Sequence, residues 1–279
     1  MQSCRIARSA NEVDAAFVVE LAGLFSCLTS PLSGGFCFTF GVKYVILDWY
    51  DVRVTEKMSF EFPKIIVITG HYGCGKTNVS VNLALMQAKR TSRVAVVDLD
   101  IVNPYFRTAD FGELFADKGI RLVTPMYANS NLDIPALSFD LAGIINEADS
   151  VIIDVGGDPE GAAALGRYSD VLGRQEDLGL YYVVNKYRYL TSTTEEAIGL
   201  LREIEAVGTV PCSGVINNSN LGKLTDSKVV ANSIEYAEAV AKEVGVPLVC
   251  TCSEEKNLAG IENGLPVEIF VKPVWEIDG

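Results

Sequence analysis

Gly70-His71-Tyr72-Gly73-Cys74-Gly75-Lys76-Thr77 satisfies the pattern G-x-x-x-x-G-K-[ST] and contains the chain's single histidine. Glycines at these positions let the backbone curl until several N–H groups point at one anion, and the helix that follows adds its positive end. Lys76 would neutralise the β- and γ-phosphates of a nucleoside triphosphate, and the Thr77 hydroxyl would ligate Mg2+. The expected nucleotide contacts are therefore Gly70, His71, Tyr72, Gly73, Cys74, Gly75, Lys76, Thr77 and Asn78. The plain alternative is a glycine-rich turn that binds nothing.

Two sets of carboxylates belong with this loop. The run SVIIDVGG ends an apolar strand in Asp154, placed to hold the water shell of a magnesium ion. Gly156 and Gly157 then let the backbone approach and move with the γ-phosphate. The run RVAVVDLD ends a second strand with Asp98 and Asp100, two residues apart and so on one side of the strand. A solvated strand end would look the same at either place.

These residues need strands that end, and helices that begin, at one edge of a sheet. The pattern predicts a strand at Ile65–Thr69 and a helix from Lys76 to about Lys89 with Val79, Leu83 and Met86 on one face. Strand Val94–Asp98 leads into a long loop through DIVNPYFRTADFGELF, with Val102–Phe111 a candidate moving part. Strand Arg121–Thr124, a helix around Phe139–Glu147, strand Val151–Asp154, a helix near Glu160–Leu172 and strand Leu178–Val184 follow. Ser192 and Glu195 have capping-box spacing and open a helix with Ala197, Leu200, Leu201 and Ile204 inward, stopped by Gly208. Strand Cys212–Ile216, helix Lys228–Val244 and strand Pro247–Cys252 complete the series. Short apolar strands alternating with amphipathic helices specify an α/β, doubly wound, mainly parallel sheet with helices on both faces. Upstream, residues 1–57 are irregular, with a Ser/Pro/Gly-rich middle and a strand-like run at Val42–Trp49. Residues 58–279 are expected to form the nucleotide-binding domain, and Met58 is expected to be the biological start; a genuine N-terminal extension is the alternative.

The motifs TGHYGCGKTNVSVNLAL, VAVVDLDIVNPYF and VIIDVGGDPEGA, in this order, resemble the MinD/ParA/CobQ-type (SIMIBI) branch of P-loop NTPases. The likeness runs from about Lys64 to Val249. It implies a P-loop NTPase fold, with Lys76 and Asp100 as catalytic residues, Asp100 matching the aspartate that orients attacking water. It also implies Thr77 and Asp154 as the metal residues, Asp154 matching the Walker-B position. Many relatives carry a second lysine just after the first glycine, which reaches across a dimer. Here His71 stands there, and a neutral imidazole supplies one donor and no fixed charge. His71 could act when protonated, an arginine such as Arg107 or Arg167 could substitute, or activity could need no partner subunit.

VVNKYR, Val183–Arg188, imitates the guanine-reading N-K-x-D but holds Arg188 where guanine needs a carboxylate, which disfavours GTP. GVINNSNLG ends the next strand in Asn217 and Asn218, and in the resembled family an asparagine here bonds adenine. ATP with Mg2+ is the expected ligand pair. The cofactors, like the roles, follow the resemblance: an ATPase acting as a nucleotide-driven switch on a protein partner or as a homodimer. The alternative is an ATP-dependent synthetase or kinase acting on a small molecule.

Composition sets the bounds. A net charge of −13 over 279 residues argues against a general nucleic-acid or anionic-membrane binder. Seven cysteines without small-domain spacing read as reduced thiols of a cytoplasmic protein. The apolar run Ala15–Thr29 is broken by Glu20 and is too short to span a bilayer. LPVEIFVKPVWEIDG is not a basic amphipathic helix, so a membrane-tethered cycle is not expected. Cys250 and Cys252 share one face of a strand, which favours burial over metal binding. Cys74, at a helix start beside Lys76, is expected to have a lowered pKa.

Overall fold

The computed structural model describes residues 61–100, 107–124, 139–157 and 159–271, with two short strands at 17–18 and 46–47. Contacts divide the chain into two units, 1–57 and 58–279. In the first, β1 (Phe17–Val18) pairs antiparallel with β2 (Ile46–Leu47), the latter inside the expected Val42–Trp49 run.

The second unit is built on an all-parallel eight-stranded sheet. Its strands are β3 (Ile65–Gly70), β4 (Val94–Leu99), β5 (Arg121–Val123), β6 (Ser150–Val155), β7 (Leu178–Val184), β8 (Cys212–Asn217), β9 (Leu248–Ser253) and β10 (Gly264–Pro266). They lie in the order β10-β9-β8-β7-β3-β6-β4-β5. The helices are α1 (Lys76–Ala88), α2 (Gly112–Asp117), α3 (Leu141–Glu147), α4 (Pro159–Gly166), α5 (Ser169–Leu172), α6 (Thr194–Gly208) and α7 (Ser227–Val244). A 3-10 turn spans Thr108–Phe111.

Alternation along the strands explains why they read as unbroken apolar runs. Ile66, Ile68, Val94, Val96, Ile152, Tyr181 and Val183 enter one core, shared with Val79 and Leu83 of α1. Their neighbours Ile65, Val67, Ala95, Val97, Val151 and Ile153 enter a core on the opposite face, with Leu141 and Ile145 of α3. Tyr182, Val184 and Val215 pack against α6 and α7. Side chains that alternate between two covered faces must all be apolar, and each fully buried Ile or Val contributes roughly 1.5–3 kcal/mol.

Four local readings shift. The capping box forms one residue later than expected: Thr193 accepts from the Glu196 N–H while Glu196 accepts from Thr193 N–H. The helix expected at Glu160–Leu172 is two helices, because Tyr168 leaves the helical path and stacks on Phe139 with centroids 5.3 Å apart. Gly112–Asp117, expected as loop, is α2. The edge strand β10 has no counterpart in the sequence reading. The stretch 101–106 of the expected moving loop lies outside the described residues.

Candidate functional site

The phosphate-loop sequence forms the turn between β3 and α1, at the C-terminal edge of the central strand. Gly75 caps α1 at φ 90°, and a Cβ there would fall 2.2 Å from Asn218 Nδ2. Only glycine fits both demands. Three loop carbonyls are held by protein donors: His71 O by Lys76 Nζ at 3.3 Å, Gly73 O by Arg188 Nε at 2.7 Å, and Cys74 O by Asn218 Nδ2 at 2.8 Å. With its carbonyls tied back in this way the loop can turn amide N–H groups toward an anion, apart from that of Cys74, which bonds His71 O at 3.2 Å.

Two carboxylates stand beside it on adjacent strands. Asp98 of β4 and Asp154 of β6 are directly opposite in the parallel register. Asp154 Oδ2 accepts from Thr77 Oγ1 at 2.9 Å and Thr108 Oγ1 at 3.1 Å; its Oδ1 accepts from Ser80 Oγ at 3.1 Å. Asp98 accepts from the Asp100 N–H at 2.9 Å and the Ala109 N–H at 3.2 Å, and pairs with Arg107 Nε at 3.4 Å. Burial pushes Asp98 up to about 7, with Asp154 adding to the rise and Arg107 opposing it. Burial likewise pushes Asp154 up to about 6, against the attraction of Lys76 and with the help of Asp100. Asp100 is buried just past the end of β4.

The structure therefore gathers Lys76, Thr77, Asp100 and Asp154 at one place. It adds Ser80, Arg107 and Thr108, which sequence reasoning did not assign as partners of the carboxylates. Ser80 had a usable signal, lying one helical turn after Thr77. Thr108 had none, since nothing local ties it to a residue 46 positions away.

Other expected residues are placed differently. Asn78 directs its amide to the backbone of Glu268, Phe270 and Val271. Asn217 lies inside the fold, donating to Ser233 at 2.9 Å and Thr251 at 3.4 Å. Tyr72 is exposed on the loop. Arg167 is exposed beyond the end of α4, while Arg107 is buried on Asp98. His71 is half-buried; burial, then Lys76 and Arg188, lower its pKa and so favour the neutral imidazole. Cys74 departs from expectation: it is fully buried, and burial raises its pKa more than Lys76 lowers it. Cys250 and Cys252 are buried with sulfurs 4.0 Å apart, as expected for a core strand.

The residues suit a phosphate and a magnesium ion. His71 Nδ1 is buried with no hydrogen-bond partner among the described residues. A Cβ on Gly157 would lie 2.4 Å from Gly70 O and 2.7 Å from both Lys76 Nζ and Tyr72 N, so the β6–α4 turn meets the loop as bare backbone. Thr77 and Asp154 offer hard oxygen donors. No group of three or more His, Cys, Asp or Glu side chains could hold a metal among the described residues. Magnesium takes one or two carboxylates and otherwise phosphates and water.

The family model CbiA, the CobQ/CobB/MinD/ParA nucleotide binding domain, matches residues 65–242. A search of curated proteins found no match. Among solved structures, the cell division protein FtsY of Thermotoga maritima is similar at 18% identity and TM-score 0.50, over 78% of this chain and 72% of that one. FtsY of Mycoplasma mycoides is similar at 17% identity and TM-score 0.47, over 72% and 64%. The signal recognition particle 54 kDa protein of Aeropyrum pernix in complex with GDP gives 17% identity and TM-score 0.46, over 70% and 42%. The likeness to the Thermotoga protein, at 18% identity, concerns the fold alone. With its phosphate loop, its paired carboxylates and a family match across more than half its length, this chain belongs to the CobQ/CobB/MinD/ParA nucleotide-binding family.

Proposed function

We propose that the protein binds Mg·ATP, hydrolyses it and works as a nucleotide-driven switch on a protein partner or a second copy of itself. One observation carries this reading. Asp154 Oδ2 accepts from a hydroxyl of the loop helix, Thr77, and from a hydroxyl of the segment after Asp100, Thr108. A change at the phosphate site thus reaches a second element through a single oxygen, which is what a switch requires.

In this reading Lys76 and the loop amides hold the γ-phosphate, Thr77 and Asp154 hold magnesium, and buried Asp100 orients water. When bound, magnesium neutralises charge on the phosphate oxygens. Adenine is favoured because Arg188 fills the position where guanine needs an acceptor and is bonded to Gly73 O. The Lys186 ammonium is likewise engaged, on Asn232 O at 2.8 Å. Lys76 and Arg188 are the cations bonded to the loop, and both favour the neutral form of His71.

The test is binding and hydrolysis of ATP and GTP side by side on purified protein. Lys76→Ala should weaken ATP binding by about 100-fold or more, the loss of charge-assisted bonds worth roughly 1.5–3 kcal/mol each. Asp100→Ala should keep binding and lose turnover. No calorimetric heat with either nucleotide sinks the proposal; faster hydrolysis of GTP sinks its adenine half. A rate per subunit that rises with protein concentration supports action through a second copy. Turnover that depends on an added metabolite would instead favour a synthetase.

A further inference from the structure

Asn78 and Asn82 lie one turn apart on α1, directly after Lys76 and Thr77, and both grip the backbone of the C-terminal segment. Asn78 donates to Glu268 O at 3.0 Å and accepts from the N–H groups of Phe270 at 2.8 Å and Val271 at 3.3 Å. Asn82 donates to the same Glu268 carbonyl at 2.9 Å and accepts from the Glu268 N–H at 2.9 Å. An amide side chain presents a donor and an acceptor, so these two asparagines serve the segment as a neighbouring strand would.

The segment begins where β10 ends. The Val267 N–H bonds to Ser253 O at 2.9 Å, and Val267 is buried in the core that α1 covers. Further on, Phe270 meets Phe111 edge-on with centroids 6.2 Å apart. Phe111 closes the turn that Thr108 opens, and Thr108 bonds Asp154 while the preceding Arg107 pairs with Asp98. Four residues, 268–271, therefore touch both elements that border the carboxylates: the loop helix through Asn78 and Asn82, and the 108–111 turn through Phe111.

We propose that Glu268–Val271 is a strap that responds to occupancy of the phosphate site, with Asn78 as the positioning residue that pins it to α1. This rests on the nucleotide reading above. A cation drawn to the Asp154 Oδ2 that Thr77 already shares competes there with the Thr108 hydroxyl. Loss of that bond leaves the 108–111 turn tied to the sheet at Asp98 alone, through the Ala109 N–H and Arg107, and loosened beside Asp154, while α1 stays fixed by its apolar face in the core. A segment bound to both elements cannot follow both, so its N–H bonds to the asparagines open more often.

Hydrogen exchange on the full chain tests this, comparing protein alone with protein plus Mg2+ and a non-hydrolysable ATP analogue. Peptides covering 70–80 and 264–271 are the readouts. On loading, 70–80 should slow and the amides of Glu268, Phe270 and Val271 should exchange at least about threefold faster. Asn78→Ala should make the strap fast in both states. Asn78→Asp keeps an acceptor for the Phe270 and Val271 amides and should restore the difference. Phe111→Leu should shrink the difference with circular dichroism unchanged, which guards against misfolding at position 78. A strap that exchanges at one rate while 70–80 responds overturns the proposal and leaves nucleotide binding standing; Asn78 would then be a static pin. Silence in both peptides removes the nucleotide reading and the strap together.

Discussion

Asp98 is a carboxylate inside a sheet, facing Asp154 and answered by Arg107. Burial holds its pKa near 7 and that of Asp154 near 6, whereas an aspartate in the unfolded chain titrates near 4. The folded state thus binds these protons more tightly than the unfolded one. Their contribution to stability is complete below about pH 4 and is lost as pH rises through about 7, at a slope of at most about 1.4 kcal/mol per pH unit per site. The melting temperature of nucleotide-free protein should therefore fall from about pH 5 to pH 8 relative to Asp98→Asn. A wild-type curve that rises relative to the variant over that interval would show that Arg107, not burial, controls Asp98.

The element that decides whether the loop can be used is the β6–α4 turn. Gly157 has no room for a methyl group: a Cβ would meet backbone at Gly70 O and Tyr72 N as well as the Lys76 amine. Gly157→Ala should keep the fold by circular dichroism yet lose about tenfold or more in nucleotide affinity, because the loop must yield to the new carbon. Unchanged affinity would mean the turn swings clear at no cost. Elements of this kind were legible in part. Strands β3, β4, β6 and β7 and helices α1, α6 and α7 announce themselves by their periods, and the phosphate loop by spacing. The capping box slipped by one residue because Ser192, Thr193 and Thr194 all offer hydroxyls and Glu195 and Glu196 both offer carboxylates. Edge strand β10 is Gly-Leu-Pro, too short for any period. The Arg107–Asp98 pair and the Thr108–Asp154 bond were illegible, since residues on separate elements choose partners only once the chain has packed. The side-chain partners of Asn78 were illegible for the same reason: they lie 190 or more positions downstream.

At the scale of the whole molecule, the candidate site residues described above all belong to the 58–279 unit. A fragment of those residues should bind ATP within about twofold of the full chain and melt in one cooperative transition. Weaker binding by the fragment would assign the first 57 residues a part in the site. The sheet also has a property unrelated to nucleotide. Among the described residues its six interior strands have six or seven residues, while β5 and β10, the two at its rims, have three each. A foreign strand arriving at either rim finds a template too short to add to, so at high concentration the folded protein should resist edge-to-edge aggregation without surface charge having to prevent it.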